Sequence, residues 1–239
     1  MGFLLAALFA ALTSSDAVAV LLNSSSSCSV TRYAAAKALV EKEANEGKPL
    51  QQFVIGVMSP GTDKGKRYLD EARPKIKMLA ETKNNSLAWY LLSMETNDFK
   101  ALQKAAKGGN VQALNALGTI ATQEALNQKG VSTNLVEGVL KKSFGYFRQA
   151  ALQRDPNGLI NLGTCYLRGF GCDIDWEIAF QCFSAAARLG HPEGMDYVSA
   201  CYEHGHGVKP DAGASLFWRM KARSLRGDKA AIEWLRNRK

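Results

Sequence analysis

One phrase occurs twice near the C-terminus: Leu162-Gly163-Thr164-Cys165-Tyr166-Leu167-Arg168-Gly169-Phe170-Gly171, then Val198-Ser199-Ala200-Cys201-Tyr202-Glu203-His204-Gly205-His206-Gly207. Tyr166 and Tyr202 are 36 residues apart, and so are Gly171 and Gly207. A fixed period of that size, with helix-type spacing inside each unit, points to a stack of helical hairpins rather than one closed core. Stacks of this kind present long surfaces, so the expected class of function is binding.

Each unit divides into parts with physical reasons. From Gly158 to Tyr166, and again from Gly194 to Tyr202, the order is a small residue, a large apolar residue four later, a small residue next and an aromatic three later. On a helix these positions lie close to one face, which must pack on a neighbour. The pairs Gly169-x-Gly171 and Gly205-x-Gly207 end that helix, because glycine accepts a left-handed terminal conformation. Asp175 and Asp211 fall at the start of the next helix, where a carboxylate accepts backbone amide hydrogens and favours the dipole. The second helices run through Ile178, Ala179, Cys182, Phe183 and Ala186, and through Ala214, Ser215, Trp218 and Ala222, and Gly190 and Gly227 close them.

This arrangement resembles the Sel-one-like repeat, a relative of the tetratricopeptide repeat with a small-xxx-Leu-Gly-xx-Tyr-xx-Gly-x-Gly-Val-xx-Asp pattern. Gly207-Val208-Lys209-Pro210-Asp211 follows the loop closely, whereas Gly171-Cys172-Asp173-Ile174-Asp175 departs at the valine. The resemblance is specific over residues 156–227. Degraded copies of the first-helix spacing occur at Gln51xxxIle55-Gly56, Ala88xxxLeu92-Ser93, Ala113xxxLeu117-Gly118 and Ala231xxxLeu235-Arg236. The intervals between positions 56, 93, 118, 163, 199 and 236 are 37, 25, 45, 36 and 37, so one unit has lost its loop and one has gained residues. Second helices are expected from Gly65 to Leu79, kinked or divided at Pro74, from Asp98 to Lys107, and from Asn134 to Leu152. The stretch Asn127 to Thr133 holds the insertion and reads as a loop.

No strand signal competes from about residue 30 onward. The resemblance implies an all-α fold, a right-handed α/α superhelix of roughly five to six stacked hairpins with the first helices on its concave side. It also implies a non-enzymatic scaffold that binds a protein or peptide. A reading from another class is an envelope protein that binds polysaccharide or peptidoglycan, since sugar sites favour exposed aromatics with polar flankers. Trp89, Tyr90 and Tyr197 stand at positions the pattern leaves variable. With Asp196, Asn161, Thr164, Asn115 and Thr119 they form the expected binding face, while Tyr166, Tyr202, Phe183 and Trp218 are expected between helices.

The N-terminal 29 residues differ in kind from the repeats at 30–239. Phe3 to Leu12 is an apolar run followed by Ala17-Val18-Ala19 and the serines 24–27. Ten helical residues span about 15 Å, roughly half a hydrocarbon core, so the run alone cannot cross a bilayer. Extension to Leu22 would place Asp16 inside at a cost of about 3 kcal/mol. A secretory signal cleaved after a small-x-small site, followed by a serine-rich linker, fits this order and implies export to a periplasm or the medium. The competing reading is an apolar helix packed on the first repeat of a cytoplasmic protein.

Charge is unevenly placed. Residues 219–239 hold eight cations against Asp228 and Glu233, a net +6 of the chain's +8. A polar outer face at the end of a stack accounts for this, and docking to an acidic partner, an anionic membrane or nucleic acid is the alternative. No nucleic-acid motif accompanies the charge, so nucleic acid is not an expected partner.

Catalytic and metal chemistry find little footing. His204 and His206 lie in a helix-ending loop without further converging ligands, so neither a metal nor a cofactor is expected. Asp173, Asp175 and Glu177 are explained by capping and the helix dipole. Cys165 and Cys201 occupy equivalent places in successive repeats, too far apart for a disulfide at normal helix spacing. The cysteine-rich branch of the repeat family has cysteines where this chain has Ala186 or Ala187 and Gly194.

Overall fold

A computed structural model of the chain describes residues 17, 18, 21, 30–127 and 133–238, and these contain helices and loops but no strand. In chain order the helices are α1 (Val30–Asn45), α2 (Pro49–Met58), α3 (Asp63–Lys83), α4 (Ser86–Thr96), α5 (Phe99–Lys107), α6 (Val111–Asn127), α7 (Thr133–Leu152), α8 (Pro156–Arg168), α9 (Trp176–Arg188), α10 (Pro192–His204), α11 (Ala212–Leu225) and α12 (Lys229–Asn237). The architecture is an all-α solenoid of helical hairpins: α2/α3, α4/α5, α8/α9 and α10/α11 pair directly, and the ring of Phe147 on α7 lies against Gly118 on α6. The chain separates into two compact units, residues 1–113 and 114–239.

Local chemistry explains the boundaries. Thr62, Asn85, Asp98, Asp155, Asp175, Asp211 and Asp228 each accept a backbone amide hydrogen at a helix start, leaving fewer orphan donors in the first turn. Asn110 does the same for Ala113 at 2.9 Å. Gly169 and Gly205 end α8 and α10 in the left-handed region. The shortened unit expected between positions 93 and 118 is the α4/α5 hairpin, where only Asn97 and Asp98 separate the helices.

The first unit stacks α1 on α2, α2 on α3, α3 on α4 and α4 on α5. Its core holds Val40, Phe53, Val54, Ile76 and Leu91, all fully buried. Tyr68 donates its hydroxyl to Asn45 at 2.6 Å, tying α3 to α1. Pro74 does not divide its helix: α3 runs unbroken from Asp63 to Lys83. Pro74 sits on the solvent side while Ala72, Ile76 and Ala80 keep one face buried. The carbonyl that loses its donor can therefore turn to water, and tertiary burial outweighs the local cost of proline.

Ala17, Val18 and Leu21 are helical and buried, in the same cluster as Ala36, Val40 and Phe53. The apolar run at 3–12, Ala19, the serine tract and Cys28 lie outside the described residues, as do residues 128–132 of the insertion between α6 and α7.

In the second unit α8 lies against α7 and α9, α10 against α9 and α11, and α12 against α11. Phe183, Met195, Val198 and Ile160 form its centre with Ala179, Ala186 and Ala222.

Candidate interaction surface

The second unit repeats its contacts as well as its sequence. Phe144 meets Tyr166 edge to face at 5.5 Å and 85°, and Phe180 meets Tyr202 at 5.5 Å and 86°, one period later. A side chain on Gly158 would begin 2.6 Å from the Ala150 methyl, and one on Gly194 would begin 2.8 Å from the Ala186 methyl. Gly118 and Gly163 receive the rings of Phe147 and Phe183, which a Cβ would meet at 2.5 and 2.7 Å. The small residues are thus seats for the neighbouring helix, and the aromatics fill the gaps that the seats leave.

The loops repeat too. The Asp175 amide donates to the Tyr166 carbonyl at 2.9 Å, and the Asp211 amide donates to Tyr202 at 3.0 Å. Their carboxylates accept from Ile178 and Ala214, both at 2.9 Å. Beside each loop is a hollow. The first, about 690 Å³, is lined by Val136, Leu140, Gly171 and Cys172 among others, and the second, about 600 Å³, by Ile174, Trp176, Gly207 and Val208 among others. Trp176 lies against His206 at 4.9 Å, and His206 lies 5.7 Å from His204.

Of the residues expected to form the binding face, Trp89 and Tyr90 belong to the first unit. Asn115 and Thr119 on α6, Asn161 and Thr164 on α8, and Asp196 and Tyr197 on α10 belong to the second. In that second group Thr119 is exposed and the other five are half-buried, several of them engaged by their own protein. Tyr197 stacks on Phe183 at 4.4 Å with the rings nearly parallel, Asp196 pairs with Arg226, and Thr164 donates to the Ile160 carbonyl. In the first unit the Lys104 ammonium covers the Trp89 ring at 4.1 Å, and burial raises the Tyr90 hydroxyl above its usual pKa.

Asn115 has a role its sequence position did not suggest. Its amide donates to Asp155 at 2.7 Å, and the same carboxylate oxygen accepts the Gly158 amide at 2.7 Å. Asp155 therefore caps α8 and binds it to α6. Asp155→Ala is expected to cost about 1–2 kcal/mol, more than Asp211→Ala, whose carboxylate caps an exposed helix start. Urea unfolding of the two variants checks this, and equal losses would show that the bond to Asn115 contributes nothing. At the equivalent position one repeat later stands His191, buried with neither ring nitrogen partnered among the described residues.

Burial pushes the thiols of Cys165, Cys182 and Cys201 up to about 12, 11 and 11, so they remain protonated at neutral pH. All four described cysteines are free thiols. Among the described residues no three His, Cys, Asp or Glu side chains converge in a way that could hold a metal ion.

The Sel1 repeat family pattern matches residues 111–155, 156–191 and 192–218, divisions that follow the α6/α7, α8/α9 and α10/α11 hairpins. Residues 111–218 are thus a run of three Sel1 repeats. The first matched repeat carries the insertion, so that unit keeps its identity despite its length. Among solved structures, this chain is similar to c5321, a protective antigen present in uropathogenic Escherichia coli strains and displaying an SLR fold. The two are 18% identical with a TM-score of 0.52 over 85% of this chain and 47% of that one. A Sel1 repeat protein from Oxalobacter formigenes is 25% identical, covering 54% of this chain and 92% of its own, with a TM-score of 0.46. Helicobacter pylori cysteine rich protein B is 23% identical, covering 56% and 95%, with a TM-score of 0.39. Sel1 repeats generally act as protein-interaction scaffolds.

Proposed function

We propose that this protein is a non-enzymatic scaffold that holds a protein or peptide partner on the surface formed by α6, α8 and α10. The observation that carries this reading is the recurrence of the same ring, methyl and backbone contacts every 36 residues in the second unit. Such interlocking fixes scattered side chains before a partner arrives, so less ordering entropy is lost on binding. The protonated thiols support a non-catalytic reading, as does the engagement of Asp175 and Asp211 in capping. Thr119 and Asn161 are the members of the expected face in the second unit whose side chains have no hydrogen bond or ion pair among the described residues. Tyr197 is a poor probe of binding because its ring is part of the packing around Phe183.

The test is affinity capture with the full chain against a Thr119→Ala, Asn161→Ala double variant. A partner protein held by the parent and retained at least about tenfold less by the variant, with unchanged melting, is the expected result. Equal retention would remove this surface from the proposal.

Export forms a second part of the reading, supported by the apolar run at 3–12 and the small-x-small site at Ala17-Val18-Ala19. In the full chain Ala17 and Val18 are buried, so processing would have to precede closure of the first unit. N-terminal sequencing of the protein from its native host decides the matter: a start at Val20 is expected, and an intact N-terminus would overturn export by this route.

A further inference from the structure

The cations of α11, α12 and their C-terminal cap residues fall into two groups. Arg219, Arg223 and Arg226 pair with Glu203, Asp228 and Asp196 respectively, so their charge is matched within the second unit. Lys221, Lys229, Arg236 and Arg238 have no carboxylate partner among the described residues, and Glu233 is the acidic residue of these two helices left outside those pairs. Two of the unmatched cations lie on aromatic rings. The Lys221 ammonium sits 5.0 Å from the Trp218 centroid and 5.8 Å from that of Phe217. The Arg238 guanidinium sits 4.9 Å from Trp234 and 5.7 Å from Phe217. Phe217 meets Trp218 at 5.7 Å and is linked to Trp234 through Arg238, so three half-buried rings, of which Trp218 also packs on the core, lie beneath positive charge.

We propose that this cluster is a docking surface for an anionic lipid bilayer. At the boundary between headgroups and acyl chains, long cationic side chains keep their charge in the headgroup layer while an amphipathic ring enters the apolar edge. The pairing of Lys221 and Arg238 with rings places both elements side by side. Unmatched charge supplies the attraction, and it acts within about a Debye length of the surface. Single-stranded nucleic acid binds by stacking bases on open ring faces, yet one face of each of these three rings is taken by a cation. The same occupancy works against an acidic peptide that would use the rings as anchors. This inference concerns a different surface from the scaffold reading and does not depend on it.

The experiment is sedimentation of the full chain with vesicles of phosphatidylcholine alone and of phosphatidylcholine with phosphatidylglycerol, at low and high salt. Binding to the anionic vesicles alone, lost as salt rises, is expected. Each cation near the surface contributes about fivefold, so Lys221→Gln with Arg238→Gln should weaken binding about 25-fold. Lys100→Gln with Lys107→Gln removes the same net charge from α5 and should leave binding nearly intact. Thermal melting confirms that each variant is folded. Equal binding to neutral vesicles, no loss in the Lys221 and Arg238 variant, or the same loss in the α5 variant would overturn the proposal. Tighter binding to DNA or polyglutamate than to the anionic vesicles would also overturn it and assign the cluster to that partner.

Discussion

Gly207→Ala is expected to destabilise the second unit by about 3–4 kcal/mol, far more than most single-methyl substitutions at a loop. Two causes act at one atom. The backbone at Gly207 has φ +71, a region that costs an L-residue about 1–2 kcal/mol. The added Cβ would also lie 2.0 Å from the Trp176 carbonyl oxygen. That oxygen belongs to backbone at the start of α9, so no rotamer change relieves the clash. The loop must move away from the preceding repeat, and with it the contact between Trp176 and His206. Gly171→Ala should behave similarly, since its Cβ would meet the Leu140 carbonyl at 2.4 Å.

Gly190→Ala separates the two causes. Its φ is +83, but nothing lies within 4 Å of the position its Cβ would take, so only the conformational cost of about 1–2 kcal/mol applies. Urea unfolding of the three variants, followed by far-UV circular dichroism, measures the contrast. Equal losses in Gly207→Ala and Gly190→Ala would mean that close approach of loop to helix contributes nothing to the stacking of repeats.

That contrast also shows why the repeat register is legible in the sequence. Gly118, Gly158, Gly163, Gly171, Gly194 and Gly207 each face an atom that forbids a larger side chain. Such constraints act on residue type at a fixed spacing, and type and spacing are what a sequence displays. The division expected at Pro74 fails for a related reason. Local rules count its missing amide, whereas the buried stripe of Ala72, Ile76 and Ala80 decides whether the helix continues.

The interaction surface was less legible. A polar side chain on a first helix can face a partner or be consumed by its own protein, and its neighbours in sequence do not distinguish the two. Asn115 finds Asp155 at a separation of 40 residues, and Asp196 finds Arg226 at 30. Neither distance is a multiple of the repeat, so no periodic signal announces the bond. The pairing of Phe144 with Tyr166 was different: Phe180 stands 36 residues after Phe144, as Tyr202 stands after Tyr166. Searching second helices for the recurrence that revealed the first helices would have found it. The division of the C-terminal cations into matched and unmatched groups is not legible in the sequence, because it depends on which face of α11 meets α10.

His191 leads to the second large effect. Its position corresponds to the aspartate that caps α8, yet its side chain makes no capping bond to α10. Burial, and secondarily the positive charge of Arg226, push its pKa down from 6.5 to about 4. Arg226 is itself paired with Asp196, which limits its share. The folded state therefore holds a neutral imidazole over a range in which the unfolded chain takes up a proton. The unfolded state binds more protons between about pH 6.5 and pH 4, so stability falls as pH falls through that window. The contribution is fully present above the unfolded value near 6.5 and is lost on reaching about 4. The full shift corresponds to about 3 kcal/mol, reduced to about 2 kcal/mol by solvent screening at a helix end. His191→Asn removes the titration and supplies an acceptor for the Gly194 amide, the donor equivalent to the Gly158 amide that Asp155 receives. The variant should be no less stable than the parent at pH 7, and more stable by about 2 kcal/mol at pH 4.5, with carboxylate titrations common to both chains cancelling in the difference. Denaturant unfolding of both proteins at half-unit steps from pH 7 to pH 4.5 provides the measurement. A constant difference between them would show that water reaches the imidazole and that its burial carries no energetic penalty.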